Sequence, residues 1–338
     1  MAKSFTKKSF SSNTLKYVDS NLQGFSRKKY GKGFSFFDHK NKKITNQKII
    51  ARINNLVIPP NWKKVWICPF NNGHIQATGL DDRKRKQYIY HHLWVELQNT
   101  NKYIHLYQFG KGLATLKKRI NKDLKKKQID INFIAALAIK IILKTSIRPG
   151  NEVYKKSNGS YGLTTLQNKH LILRNGIVTF KFVGKKGVKQ HKQIKDKTLF
   201  NIIKKVKALP GNRFLQFYDD NRKIRQVNPA ILNSYLQKIY HNNTTNKTIR
   251  TWNACYLSLE FLLNNYQNNQ KRNKTSKHLV EFVASNLGNT VAVAKKNYIA
   301  PRIIEEFENE MLDSWLRRNK KTKNRKSIIQ KKLLEILK

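Results

Sequence analysis

Lys247-Thr248-Ile249-Arg250-Thr251-Trp252 begins the stretch on which the interpretation of this chain turns. Ile249, Trp252, Tyr256, Leu259 and Leu263 recur at helical spacing, which predicts a helix over 248–263 with one buried face. Arg250 lies at the edge of that face, and Lys247 is one turn earlier on the same side. Further on come Leu287-Gly288-Asn289-Thr290 and Lys296-Asn297-Tyr298. A helix over 276–286 should end at Gly288, the residue type that most easily takes the left-handed terminating conformation. A phenol, fixed cations and an amide in this order suit attack on a phosphodiester. Tyrosine oxygen can be a nucleophile that stores a bond instead of hydrolysing it, and the cations match the charge of a pentacoordinate phosphorus.

Working outward, the rest of the second half is mostly helical. Apolar spacing predicts helices over 93–97, 113–124, 131–143, 199–206 and 229–239, the last with Asn228 as cap and Pro229 in its first turn. Between them lies a three-stranded meander: 171–173, a turn at Asn175-Gly176, 177–183, a turn through Gly184-Lys185-Lys186-Gly187, and 188–194. Arg148 follows the apolar helix and precedes Pro149, which ends the helix and holds the arginine at a corner. Taken alone, Arg148 reads first as an ordinary basic residue near a helix C-terminus, and Lys185 is one tip lysine among many.

Before residue 90 the pattern is β-like. Residues 33–37 and 43–45 read as strands, 47–56 as a short helix carrying Ile49, Ile50, Ile53 and Leu56 on one face, and Pro59-Pro60 as its stop. Asn72-Gly73 between 65–68 and 74–78 predicts a tight hairpin. The expected fold class is α+β: a small β-rich N-terminal domain followed by a mostly helical catalytic domain with a β insert. The expected divisions are a flexible basic arm over 1–28, an N-terminal domain over 29–92, a catalytic domain over 93–316 and a basic amphipathic tail over 317–338.

The chain has 338 residues, with Lys+Arg 69 against Asp+Glu 19 and a formal net charge of +50. Such charge speaks to partners, and polyanions are the obvious ones. No run reaches the ~20 apolar residues of a spanning helix, and the N-terminal residues lack a signal-peptide core, so the cytoplasm is the expected location. Two cysteines, Cys68 and Cys255, stand far apart in apolar settings and form neither a metal spacing nor a disulfide framework.

Ile58-Pro59-Pro60 with Trp62, Val65-Trp66-Ile67-Cys68-Pro69, residues 73–79 and 84–91, Ile147-Arg148-Pro149-Gly150-Asn151-Glu152, residues 158–166, Phe182-Val183-Gly184-Lys185, Arg250-Thr251-Trp252 and Leu287-Gly288-Asn289-Thr290 with Tyr298 together resemble the type IB DNA topoisomerases, most closely their small poxviral and bacterial branch. The resemblance implies relaxation of supercoiled DNA by transient cleavage of one strand. Tyr298 would become a 3′-phosphotyrosine, Arg148 and Arg250 would clamp the non-bridging oxygens, and Lys185 would protonate the 5′ leaving oxygen with help from Lys247. Gln87, Tyr88, Tyr90, Asn151 and Tyr154 would touch DNA. The implied partner is double-stranded DNA held by a monomer clamped around it. The implied enzyme needs no cofactor: a phosphotyrosine keeps the energy of the broken bond, so neither ATP nor metal is required. Asn289 departs from the histidine of poxviral members; it donates a hydrogen bond but carries no titratable charge. Lys186 departs from the acidic residue of some relatives, and Asn151 from the lysine of others. The alternatives are a tyrosine recombinase, which usually has histidine where this chain has Lys247, and a non-catalytic DNA-packaging protein that works by charge alone.

Overall fold

The computed structural model describes residues 15–31, 33–240, 242, 244–267 and 271–338. The chain divides into two compact units, residues 1–102 and 103–338.

In the first unit, β1 (Phe25–Tyr30), β2 (Gly33–Phe37), β3 (Lys63–Ile67), β4 (Ile75–Leu80) and β5 (Lys86–Tyr90) form one antiparallel sheet in the order β2-β1-β3-β4-β5. Helix α1 (Gln47–Asn55) starts where the Asn46 side chain accepts from the amides of Lys48 and Ile49. Its Ile53 is buried with Phe36, Val65, Ile67 and Ala77, and Ile49, Ile50 and Leu56 flank them. The Ile58-Pro59-Pro60 segment is tied down by the Arg27 guanidinium, which donates to the Ile58, Pro59 and Trp62 carbonyls.

Two expectations change here. The basic arm assigned to 1–28 is folded from residue 15 onward, and only residues 1–14 lie outside the described residues. Lys16 bonds to the Asn72 carbonyl and accepts from the His74 amide, Val18 is buried, and β1 occupies Phe25–Tyr30. Three consecutive cations, Arg27-Lys28-Lys29, hid that strand; its pairing with β2 and β3 on both sides overrides its composition. The β3–β4 hairpin exists, but its connection runs from Cys68 to His74 and is not a two-residue turn at Asn72-Gly73. Gly73 serves close packing instead: a Cβ there would fall 2.4 Å from the Cys68 sulfur.

The division between the units falls within α2 (His92–Asp123), one continuous 32-residue helix where two shorter ones were expected. Leu106, Phe109, Leu113, Leu116 and Ile120 line its buried stripe in the second unit. Helix α3 (Ile131–Thr145) is apolar almost all round and lies at the centre of the core. After α4 (Glu152–Asn158) the meander appears as expected: β6 (Leu171–Arg174), β7 (Ile177–Val183) and β8 (Lys189–Lys195) in the order β6-β7-β8. Asn175 and Gly176 both have positive φ, the geometry that two-residue hairpins favour.

Helix α5 (Lys197–Lys207), a short hairpin of β9 (Gln216–Tyr218) and β10 (Ile224–Gln226), and helices α6 (Pro229–Tyr240), α7 (Asn246–Asn265), α8 (Arg272–Leu287), α9 (Val291–Asn297), α10 (Pro301–Glu308), α11 (Asp313–Asn319) and α12 (Arg325–Leu337) complete the unit. The Asn228 side chain caps α6 by accepting from the Ile231 amide. The tail expected over 317–338 is part of this core: Ile329, Leu333 and Ile336 of α12 are buried, and α12 packs on α7. No helix among the described residues is long and apolar enough to cross a membrane.

Candidate active site

Helix α3 ends at Ser146, which takes a left-handed conformation (φ 57°). Arg148-Pro149-Gly150 then passes close against the 162–165 turn, with Gly150 at positive φ (105°). The Arg148 carbonyl accepts from the Leu163 amide at 2.8 Å, and the Pro149 carbonyl accepts from the Thr164 hydroxyl at 2.9 Å. The backbones come so close that a Cβ on Gly162 would sit 2.5 Å from the Gly150 Cα. The two sequence motifs are therefore one object: the second is the seat on which the first holds Arg148.

Arg250 projects from the second turn of α7 and is 2% exposed, deeper than the edge position expected for it. Its guanidinium donates to the Ser146 carbonyl, to the Leu287 carbonyl at 3.1 Å and to Asn289 Oδ1 at 3.5 Å. Arg148 donates to the Gly288 carbonyl at 3.0 Å and to the same Asn289 oxygen. Gly288 caps α8 in the left-handed conformation, as expected. A guanidinium offers only donors, so both arginines fix the Asn289 amide with its oxygen toward them. Its Nδ2 and the Arg250 Nε are left buried without a hydrogen-bond partner among the described residues.

Tyr298 follows α9, and its ring centroid lies 5.3 Å from the Arg250 guanidinium. Burial alone would raise the phenol pKa. Arg250, through its charge and a hydrogen bond, and then Arg148 and Lys247 outweigh burial and hold it below the ordinary 10.0. Burial pushes the Arg250 pKa down, with Arg148 adding repulsion; burial also lowers that of Arg148. Arginine nevertheless keeps its charge at any working pH. The cluster thus holds concentrated positive charge against one phenol, an arrangement suited to a nucleophile that must meet an anion.

Tyr298, Arg148, Arg250 and Asn289 come together, and Lys247, exposed in the first turn of α7, is close enough to favour the phenolate. Lys185 does not join them. It is exposed at the tip between β7 and β8, and no hydrogen bond or ion pair among the described residues links it to the cluster. Asn151 caps α4 by accepting from the Val153 amide at 2.7 Å, and Tyr154 on α4 is 44% exposed.

In the first unit, Tyr88 and Tyr90 stack on one exposed face of β5 with centroids 5.7 Å apart. Gln87 is on the opposite face by strand alternation and donates to Asp81 at 2.9 Å.

Several participants were invisible to motif reading. Main-chain acceptors at Ser146, Leu287 and Gly288 carry no side-chain signature. Cys255, buried on α7, also bonds through sulfur to the Tyr298 carbonyl at 3.4 Å. Lys192 on β8 donates to the Asn286 carbonyl at 2.5 Å, and burial followed by Arg250 lowers its pKa. Only the inward phase of β8 could have singled it out.

Residues 84–328 match the family described as eukaryotic DNA topoisomerase I, catalytic core, and residues 33–81 match the bacterial DNA topoisomerase IB, N-terminal domain. DNA topoisomerase 1B of Acanthamoeba polyphaga mimivirus is 32% identical over 297 residues, covering 85% of this chain and 88% of the relative. DNA topoisomerase 1B of Vaccinia virus (strain Copenhagen) is 26% identical over 243 residues, covering 69% of this chain and 72% of the relative. Among solved structures, the XerH site-specific recombinase bound to its difH substrate is similar at TM-score 0.35 and 16% identity, over 69% of this chain and 59% of that one, too distant to carry an argument. A catalytic-core match spanning most of the chain agrees with cations gathered on one tyrosine, and the chain belongs to the type IB DNA topoisomerases.

Proposed function

We propose that this topoisomerase relaxes supercoiled double-stranded DNA by cutting one strand and holding the break as a 3′-phosphotyrosine on Tyr298. The observation that carries this is the pair of buried, unpartnered donors, Arg250 Nε and Asn289 Nδ2, beside a phenol whose ionisation its surroundings favour. Buried donors normally find acceptors; non-bridging phosphate oxygens supply them. The phenol gives its proton to solvent water, its oxygen forms a bond to phosphorus, and the bond from phosphorus to the 5′ oxygen breaks. Arg148, Arg250 and Asn289 stabilise the charge on phosphorus, while Lys185 gives a proton to the leaving oxygen with Lys247 assisting.

An unperturbed tyrosine is about a thousandth ionised at neutral pH, so full ionisation asks for roughly 4 kcal/mol from the surroundings. Clustered cations provide help of that kind. Religation runs the same steps backward, and the stored bond energy makes ATP unnecessary. Exposed Tyr88 and Tyr90, with Asn151, Tyr154 and Gln87, would contact the duplex, and the net charge supplies the rest of the affinity. One copy of the chain suffices, and the cytoplasm or a virion fits its viral relatives.

The test is to denature the protein on labelled duplex and sequence the trapped adduct. Wild type is expected to carry DNA on residue 298, whereas Tyr298→Phe should bind DNA with unchanged affinity and yield no adduct and no plasmid relaxation. An adduct elsewhere, or relaxation by Tyr298→Phe, would refute the assignment. Relaxation without paired recombination sites separates this activity from strand exchange.

A further inference from the structure

The last turn of α8 ends in three successive carbonyls, and each accepts from a different cation. Asn286 takes Lys192 at 2.5 Å, Leu287 takes Arg250 at 3.1 Å, and Gly288 takes Arg148 at 3.0 Å. The negative end of a helix dipole suits cations there. Arg250 and Arg148 have roles in the reaction proposed above; Lys192 so far has none.

Lys192 occupies a place where the strand pattern asks for an apolar residue. On β8, Gln190 and Ile194 face inward and are buried, while Lys189, His191, Gln193 and Lys195 are exposed. Lys192 has the phase of the buried pair and stands opposite the fully buried Phe180 of β7. A half-buried ammonium with no carboxylate partner among the described residues is costly, and such local violations concentrate at functional sites. Its neighbour in phase, Gln190, touches the same helix end: a Cβ on Gly288 would fall 2.4 Å from the Gln190 amide nitrogen. Strand β8 is therefore docked on the terminal turn of α8 by two inward side chains. The same strand leads directly from the tip that carries Lys185.

We infer that Lys192 is a positioning residue: it fastens the β6–β8 meander to the end of α8, so that the tip delivers Lys185 to the phosphate that Arg148 and Arg250 hold. This rests on the general-acid role proposed for Lys185. A lysine that only positions the acid matters when the leaving group needs a proton and is dispensable when it does not.

Single-turnover cleavage by the full chain reads this directly, on duplexes carrying either an ordinary phosphodiester or a 5′-bridging phosphorothiolate at a mapped cleavage site. Sulfur leaves without protonation. Lys192→Met is expected to cleave the phosphodiester about 10²-fold more slowly and the phosphorothiolate at the wild-type rate, a pattern that simple structural damage does not produce. Lys192→Arg, which can still reach the carbonyl, should recover most of the phosphodiester rate. Equal slowing on both substrates, or on neither, overturns the inference. Lys185→Ala on the same substrates keeps the two claims apart. If sulfur fails to rescue it, the general-acid role falls and takes this inference with it; if sulfur rescues Lys185→Ala but not Lys192→Met, only the positioning role falls. Should Lys192→Met not fold, Lys192→Gln is read by the same ratio of rates, where a raised ratio supports the role and an unchanged one overturns it.

Discussion

The two ends of α8 treat arginine in opposite ways. At the N-terminal end, Arg272 meets the Asp313 carboxylate in a two-pronged pair at 2.8 and 2.6 Å, the Tyr266 hydroxyl donates to the same carboxylate, and the Phe307 ring lies 4.8 Å away. Both partners are mostly buried, at 15% and 14% exposure. At the C-terminal end, Arg148, Arg250 and Lys192 converge with no carboxylate hydrogen-bond partner among the described residues; they meet main-chain carbonyls, one amide and the Tyr298 phenol. The pKa of Arg272 is raised, first by its bond to Asp313, whereas burial lowers those of Arg148 and Arg250. A carboxylate satisfies a structural cation. Carbonyls orient a cation without neutralising it, which leaves its charge for an incoming anion.

The sharpest break in that contrast comes from removing a cation at the catalytic end. Arg250→Ala and Arg148→Ala are each expected to slow single-turnover cleavage by about 10²–10³-fold, the usual loss for one donor to developing charge; wild-type rates would remove them from the mechanism. Because Arg250 is buried without a counter-charge, Arg250→Met should not lower the melting temperature, in contrast to any change at Arg272. Converting one end into the other is the next test. Asn289→Asp places a carboxylate where both arginines already point, so melting temperature should rise while cleavage falls by about 10²-fold.

Asp313→Ala, which leaves Arg272 only its longer ion pair with the exposed Glu310 at 3.8 Å, should cost about 1–3 kcal/mol in urea unfolding with little effect on cleavage of saturating DNA. Its pH dependence has a defined sign. Burial would raise the Asp313 pKa, but the bonds from Arg272 and Tyr266 prevail and hold it below the ordinary 3.8. Its stabilisation is therefore complete above the unfolded value and is lost as pH falls through the lower folded one. Melts below pH 4 should show wild type converging on Asp313→Ala. The smallest effect is expected from Asn289→His: cleavage within about tenfold of wild type, with a new inflection in its pH profile near the histidine value of about 6.5.

How legible each end was follows from the kind of contact involved. The meander could be read because Asn175-Gly176 needs two positive φ angles that those residues tolerate, and α6 because Asn228 caps it. Arg148, Arg250 and Tyr298 stood out by motif and resemblance, and the geometry brings them together. Asn72-Gly73 misled because the same dipeptide also serves close packing against Cys68. The basic strand β1 was hidden by its charges, whereas the amphipathic pattern of the tail was legible and only its burial in the core as α12 was not. Lys192 was hidden among the many lysines of this chain, since only the phase of β8 and the carbonyl it meets distinguish it. The first arginine's seat on the 162–165 turn was unreadable for a simpler reason: backbone-to-backbone bonds leave no trace in residue identity.

Main-chain oxygens at the close of α8 also set what a mutational survey would see. Asn286 can be exchanged for most residues without deleting the atom that holds Lys192, because every amino acid brings the same carbonyl. Side-chain scanning would then score that position as indifferent although its carbonyl holds Lys192. Only a replacement that bends the peptide, such as proline, would expose its importance.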